Sequence, residues 1–188
     1  MDNLAYQEEW TEELIDGKVV AMSPAAMRHV FVAGNIYGIF LKYLDGKTCV
    51  PIQDGGLVFL TEKDHFVPDF MIVCDPNKIR DDGVHGAPDL VVEVLSPSTA
   101  KIDRTHKKEV YGKCGVREYW IVSPSEKTVE VFRNRDGELV LHDIYTLCAE
   151  PFLRRMSEAE RAAIVTHFKC SLYDDLEISL FDIFKRIP

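Results

Sequence analysis

The chain has 188 residues, 46% hydrophobic and 28% charged, the proportions of an ordinary globular protein with one core. No apolar run approaches the ~20 residues that span a bilayer, and the acidic opening MDNLAYQEEWTEEL lacks the apolar region of a secretory signal. No membrane partner is therefore expected. The net charge of −9 counts against a broad nucleic-acid surface, because phosphate binding draws its affinity from Lys and Arg.

In chain order, ELIDGKVVAM (13–22) reads as a hairpin turning at Asp16-Gly17. Ser23-Pro24 then offers a helix cap and a proline for the first helical position. Met27, Val30, Ile36, Phe40, Tyr43 and Leu44 recur at helical spacing until Gly46. GLVFL (56–60) and VPDFMIV (67–73) read as strands, and 76–88, rich in Asp, Gly and Pro, as a loop. APDLVVEVL (87–95) is apolar nearly throughout, as in a strand buried on both faces. A helix over 101–114 follows the SPST segment and ends at Gly115. REYWIVSP (117–124), KTVEVFR (127–133) and 138–146 read as strands. SEAERAAIVTHF (157–168) opens with a capping box, Ser157 to Glu160, and reads as a helix; LEISLFDIF closes the chain as a strand passing into a short helix. This order predicts an α/β (α+β) fold, a central mixed sheet flanked by helices after an N-terminal β-hairpin. One domain over 1–188 is expected.

The cysteines, Cys49, Cys74, Cys114, Cys148 and Cys170, are odd in number and contain no CxxC pair. That pattern argues against a zinc ribbon and a disulfide framework, and a reducing cytoplasm is the natural compartment.

Glu93 carries the most information. A carboxylate inside LVVEVL is expensive unless neutralised, hydrogen-bonded or ligated. Asp69 follows Pro68 at the head of another apolar strand. Two carboxylates from neighbouring central strands suit a hard cation such as Mg²⁺, or Mn²⁺, and the backbone carbonyl of Val94 would add a third oxygen. Asp89 repeats the Pro-Asp pattern but precedes Glu93 by four residues on one strand, roughly 13 Å between Cα atoms. It reads as a strand-entry residue, with a supporting or second-metal role as the lesser option.

Phosphodiester cleavage at such a site also calls for an ammonium group near the phosphate. Two residues beyond Glu93, where an E-x-K element would supply it, stands Leu95. Between Lys101 and Arg117, six bases face two acids, a local positive surplus inside an acidic chain. With Ile102, His106, Val110, Tyr111 and Cys114 as the inward stripe, Lys107 lies about 55° from its centre and reaches the sheet. Asp103 falls near the centre, placed to neutralise Lys107 or Arg104. Lys101 and Lys108 lie on the other side and, with Arg104, are candidates for nucleic-acid contact. No zinc finger, helix-turn-helix, P-loop or G-x-S-x-G elbow is present.

ELIDGKVVAMSP, VPDFMIV, GAPDLVVEVLSPSTAKIDRTHKKEVYGKCGVREYWIVSP and LEISLFDIF together resemble the Uma-type restriction endonuclease family of the PD-(D/E)XK nuclease superfamily. The resemblance implies a restriction-endonuclease-like core, Asp69 and Glu93 as metal ligands, and a migrated lysine at Lys107 in a K-x-x-x-Y element ending at Tyr111. It also brings in Glu13 as an accessory acid and His29, which on the apolar face of the first helix reads first as a satisfied core histidine and second as a site residue. The activity implied is Mg²⁺- or Mn²⁺-dependent cleavage of DNA. The alternative is a catalytically idle scaffold or nucleic-acid-binding module. A homodimer would suit double-strand cutting. Segment 149–170 departs from the family pattern and reads as a helical insertion; its Arg154 and Arg155 are placed for phosphate or for solvent.

Overall fold

The structure is a computed structural model that describes residues 12–53 and 55–188. The reading of the N-terminus as free of a signal falls largely on residues 1–11, outside the described residues.

Strands β1 (Glu12–Ile15) and β2 (Lys18–Ala21) form the expected hairpin. Asp16 and Gly17 both take left-handed φ, 49° and 74°, as a two-residue turn of the primed type requires. Helix α1 (Met27–Leu44) starts beyond Ser23-Pro24, with Ala26 as an N-cap that makes no side-chain bond. Its buried face is Val32, Ala33, Ile36, Phe40 and Leu44, whereas Met27 and Val30, expected on the apolar stripe, are 60% and 49% exposed. The first turn thus adds little to the buried face, which begins at Val32.

Four short strands follow, β3 (Val50–Gln53), β4 (Val58–Thr61), β5 (Asp64–Phe66) and β6 (Phe70–Val73). The segment expected to be a loop over 76–88 instead holds a 3-10 turn, Pro76–Lys78, and a hairpin of β7 (Ile79–Arg80) and β8 (Gly83–His85). β8 pairs in parallel with β4, a distant partner that local composition does not reveal. β9 (Leu90–Val94) is buried at every position. Helix α2 spans 100–114, with an α-helical turn at Ala100–Ile102, a π-turn at Asp103–Lys107 and α-helix again at Lys108–Cys114, and left-handed Gly115 stops it.

β10 (Glu118–Ser123), β11 (Thr128–Arg135) and β12 (Glu138–Thr146) complete the main sheet. Two short helices come next, α3 (Glu150–Leu153) and α4 (Glu158–Ala162). The capping box of Ser157 and Glu160 forms with both of its bonds, but the helix expected to reach residue 168 stops at Ala162. His167–Lys169 is a strand, β13, which pairs with β14 (Glu177–Ser179) and turns Phe168 into the core. Helix α5 (Leu180–Ile183) ends the chain's regular structure.

The fold is mixed α+β with two six-stranded mixed sheets, ordered β2-β1-β5-β4-β8-β7 and β12-β11-β10-β9-β6-β3. Of the first sheet, the sequence predicts the opening hairpin and β4 but not β5, β7 or β8, nor that these strands form a separate sheet. The central strands of the second sheet, β6, β9 and β10, are covered on both faces, which is why β9 reads as unbroken apolar sequence. On one face Phe70, Val92, Val94, Trp120 and Val122 pack against α1 and the C-terminal elements. On the other, Met71, Val91, Tyr119 and Ile121 pack against α2 and the first sheet. The site lies in this second layer.

Cys49 and Cys74 form a disulfide, against the sequence expectation. They stand one step beyond the Val50↔Val73 pair of β3 and β6, a proximity that register decides and spacing conceals. The cysteine pattern therefore gives no support to a reducing compartment. Cys114, Cys148 and Cys170 are free thiols. Among the described residues, no helix is long and apolar enough to cross a membrane.

Candidate functional site

β6 and β9 pair antiparallel, Phe70 opposite Val92 and Met71 opposite Val91. One step further along the same register, Asp69 stands opposite Glu93. Strand alternation sends both side chains to the face that carries Met71, Val91 and Ile121. Side chains opposed in this way have Cβ atoms about 4.5–5.5 Å apart. Asp69 is 7% exposed and Glu93 3%.

The first sheet contributes a third acid. β1 alternates, so Glu13 and Ile15 turn inward. Glu13 Oε1 accepts from the Val67 backbone N–H at 2.8 Å, a donor left over because Pro68 interrupts the ladder there. The same oxygen accepts from Lys107 Nζ at 2.8 Å.

Lys107 is 2% exposed and sits at the centre of α2's buried stripe with Asp103, Val110 and Tyr111, not on its flank as regular helical phase predicts. The π-turn accounts for the difference. Bonds from i to i+5 place an extra residue in the turn and rotate everything beyond it. Lys107 Nζ donates to Glu93 Oε1 at 3.2 Å, lies 3.7 Å from Asp103 Oδ1, and sits 5.5 Å from the Phe66 ring centroid. Tyr111, one turn on, donates its hydroxyl to Glu93 Oε1 at 3.0 Å. His29 Nε2, from α1, meets Asp69 Oδ2 at 3.2 Å, and the Val94 N–H donates to the same oxygen at 2.6 Å.

These carboxylates share a pattern. Glu13 and Glu93 each spend Oε1 on protein donors, and Asp69 spends Oδ2. Oε2, Oε2 and Oδ1 take part in none of those bonds. One oxygen orients each group while the other is left for a ligand, the division expected of hard-cation donors with supporting contacts. Among the described residues, however, no three His, Cys, Asp or Glu side chains are gathered closely enough to grip an ion as they stand. The ammonium of Lys107 occupies the centre.

Three acids, Glu13, Glu93 and Asp103, thus surround one lysine, and Asp69 stands opposite Glu93. Burial pushes the Glu93 carboxyl well above the usual range; Lys107 opposes the rise, while Asp103, Asp69 and Glu13 add to it. Asp103 is raised by burial in the same way, again against Lys107. Burial would lower the Lys107 ammonium, but Glu93, Glu13 and Asp103 override it and hold it above the lysine range. Tyr111 is pushed well up by burial and by Glu93, so it stays a neutral donor. The excess of carboxylate in a water-poor volume is an electrostatic invitation to a cation.

A further buried acid, Asp64, stabilises the wall of the site. Asp64 Oδ1 meets His106 Nε2 at 2.7 Å and accepts from the Asp16 N–H at 3.0 Å, while Oδ2 accepts from Thr61 at 2.9 Å. This ties the first hairpin, which carries Glu13, to α2, which carries Lys107. Asp64 carries no local sequence signal of burial, because an acid beside a turn is ordinarily solvated.

The remaining candidates lie elsewhere. Asp89 accepts from the Cys74 N–H at 2.8 Å and lies 3.6 Å from Arg117, a strand-entry role away from Glu93. Arg104 is ion-paired to Glu130, not to Asp103. Lys108 rests over the Phe132 ring at 4.8 Å, and Lys101 is exposed. Val94 meets Asp69 through its N–H. Arg154 pairs loosely with Glu150 at 3.5 Å on the surface.

Comparison with known proteins follows the same lines. The chain is 29% identical over 143 residues to "Uncharacterized protein slr1290" of Synechocystis, covering 73% of this chain and 75% of that one. It is 27% identical over 113 residues to "Uncharacterized protein sll1609" of the same organism, covering 57% and 64%. The crystal structure of "a putative nuclease belonging to DUF820 from Anabaena variabilis ATCC 29413" shares the fold, with a TM-score of 0.69 and 20% identity over 94% of this chain and 90% of that one. Residues 2–158 match the model described as "Uma2: Putative restriction endonuclease", a span that takes in only the first part of segment 149–170, and on that match the chain belongs to this family.

Proposed function

We propose that the chain is a divalent-metal-dependent endonuclease that hydrolyses DNA, with Asp69 and Glu93 holding Mg²⁺ or Mn²⁺ and the Val94 carbonyl as a further oxygen. The observation that carries this reading is the placement of Asp69 opposite Glu93 on one sheet face, with Lys107 bonded to Glu93. Family membership supports it. A divalent ion held by Asp69 and Glu93 would supply Lewis acidity for activating water and for stabilising the leaving oxygen. Tyr111 orients Glu93 through Oε1, an oxygen that Lys107 also holds in the ion-free site; His29 and the Val94 N–H orient Asp69 through Oδ2. The Lys107 ammonium lies where negative charge grows on a phosphate brought against the carboxylate pair. Arg104, Lys101 and Lys108 lie on the same helix and offer charge to the flanking backbone. A homodimer would place two such sites on one duplex.

The net charge of −9 and the engagement of Lys107 by carboxylates favour a second reading, an idle nuclease-fold scaffold. Nicking of supercoiled plasmid with Mg²⁺ or Mn²⁺ separates the two. The wild type nicks, and Asp69→Ala, Glu93→Ala and Lys107→Ala do not. Activity that survives all three substitutions excludes this site, and a wild type that neither nicks nor binds Mn²⁺ is the scaffold.

A further inference from the structure

Asp103 is the site's least satisfied residue. Its side chain is 1% exposed, and neither carboxylate oxygen has a hydrogen-bond partner among the described residues. The Thr99 hydroxyl lies near enough to favour its charged form. A buried carboxylate in that condition is costly and calls for an explanation. Arg104, the next residue, is turned to Glu130. The cation beside Asp103 is Lys107 at 3.7 Å, whose short contacts go instead to Glu13 at 2.8 Å and Glu93 at 3.2 Å. Charge-assisted N–H···O bonds close at about 2.7–2.9 Å. A movement of the ammonium by about 1 Å therefore exchanges Glu93 for Asp103. The main chain beneath is held, since the Tyr119 hydroxyl donates to the Asp103 carbonyl at 3.0 Å within the π-turn. Such turns cluster at functional positions.

We propose that Asp103 is a positioning residue that receives the Lys107 ammonium when a divalent cation binds at Asp69 and Glu93, freeing Glu93 for the ion. The inference rests on the metal reading above. Without Asp103, the ammonium has Glu13 and Glu93 alone to bind, and it competes with the ion for Glu93. With Asp103, the ammonium moves aside yet stays next to the phosphate site. Both unpartnered oxygens of Asp103 then acquire a purpose that a merely structural carboxylate lacks.

Calorimetric titration of the full chain with Mn²⁺ tests this through a double-mutant cycle. Asp103→Asn weakens Mn²⁺ binding about 10-fold in the wild-type background, the scale of losing a supporting partner. In a Lys107→Met background the same substitution changes affinity less than about 2-fold, because the competitor is gone. An equal loss in both backgrounds overturns the proposal and makes Asp103 a direct ligand or a plain source of field. Absence of Mn²⁺ binding by the wild type overturns the metal reading itself, and this inference with it. Should Lys107→Met not fold, ¹⁵Nζ-lysine NMR with Mg²⁺ gives an independent readout. The Lys107 ammonium signal shifts on Mg²⁺ addition in the wild type and stays in place in Asp103→Asn. The same shift in both proteins refutes the exchange.

Discussion

Asp69 and Glu93 face each other across β6 and β9, one register step beyond Phe70↔Val92. The sheet therefore brings two acids together that lie far apart in sequence, and their shared face is buried. Metal affinity should depend on both equally. Asp69→Asn and Glu93→Gln are each expected to weaken Mn²⁺ binding by at least ~10-fold, the smallest loss seen when even an outer partner is removed. Asp89→Asn, in a group engaged by Cys74 and Arg117, leaves affinity unchanged. Calorimetry on the three variants checks this.

Glu93 also makes the metal-free protein sensitive to pH. Burial raises its folded pKa above the reference value of 4.5, so the folded state holds this proton more tightly than the unfolded chain does. The resulting stability is fully present below pH 4.5 and is lost as pH rises through the raised folded value. Glu93→Gln removes the loss. At pH 8 without metal it should stabilise the protein by about 1–3 kcal/mol, the cost of a buried group poorly compensated. Thermal melts read this as about 2–4 °C per kcal/mol for a chain of this size. At pH 4 the difference should vanish.

Lys107 neutralises Glu13, Glu93 and Asp103. Lys107→Met should cost about 3–5 kcal/mol, because it strands carboxylates in the interior. Cleavage should fall by about 10²–10³ where the ammonium stabilises charge in the transition state. Lys107→Met/Glu93→Gln should recover much of the stability and none of the activity. Denaturant melts and plasmid nicking on the same preparations separate these effects.

Asp64 behaves with the opposite sign. Burial alone would raise it, but the bonds from Asp16, His106 and Thr61 outweigh burial and lower its pKa from 3.8. Its contribution is present above pH 3.8 and is lost as pH falls through the lowered folded value. Asp64→Ala should cost about 2–3 kcal/mol at neutral pH, as expected for lost hydrogen bonds to a charged group. It should also flatten the acid limb of a stability profile. Because Asp64 ties the Glu13 hairpin to α2, Mn²⁺ affinity should fall as well.

The Cys49–Cys74 bridge closes a sequence separation of 25 residues. Chain entropy assigns such a loop about 3 kcal/mol. Cys49→Ser is expected to lower stability by about that amount under oxidising conditions and to have little effect in reductant. Denatured without reductant, the wild type should show three reactive thiols, from Cys114, Cys148 and Cys170.

Some features were legible because they are local. Glu93 stood out as one charge within an apolar run, and β9 proved buried throughout. The Asp16-Gly17 turn, the stop at Gly115 and the Ser157–Glu160 box each depend on the backbone preferences of two to four neighbouring residues. Local signals failed where a distant partner outbid them. His167–Lys169 left its predicted helix because β14 offered a ladder and the core offered a place for Phe168. The 76–88 segment acquired strands because β4 was there to pair with β8.

The residue types of the candidate site were written in the sequence by itself: an acid in a buried strand, an acid after Pro68, a lysine on the following helix. Their arrangement was decided only in three dimensions. Strand register set Asp69 against Glu93 and Cys49 against Cys74. The π-turn rotated Lys107 from the flank to the centre, and the first sheet delivered Glu13 to it. Register and helical phase depend on how the whole hydrophobic surface closes, a long-range sum that no short window of sequence contains.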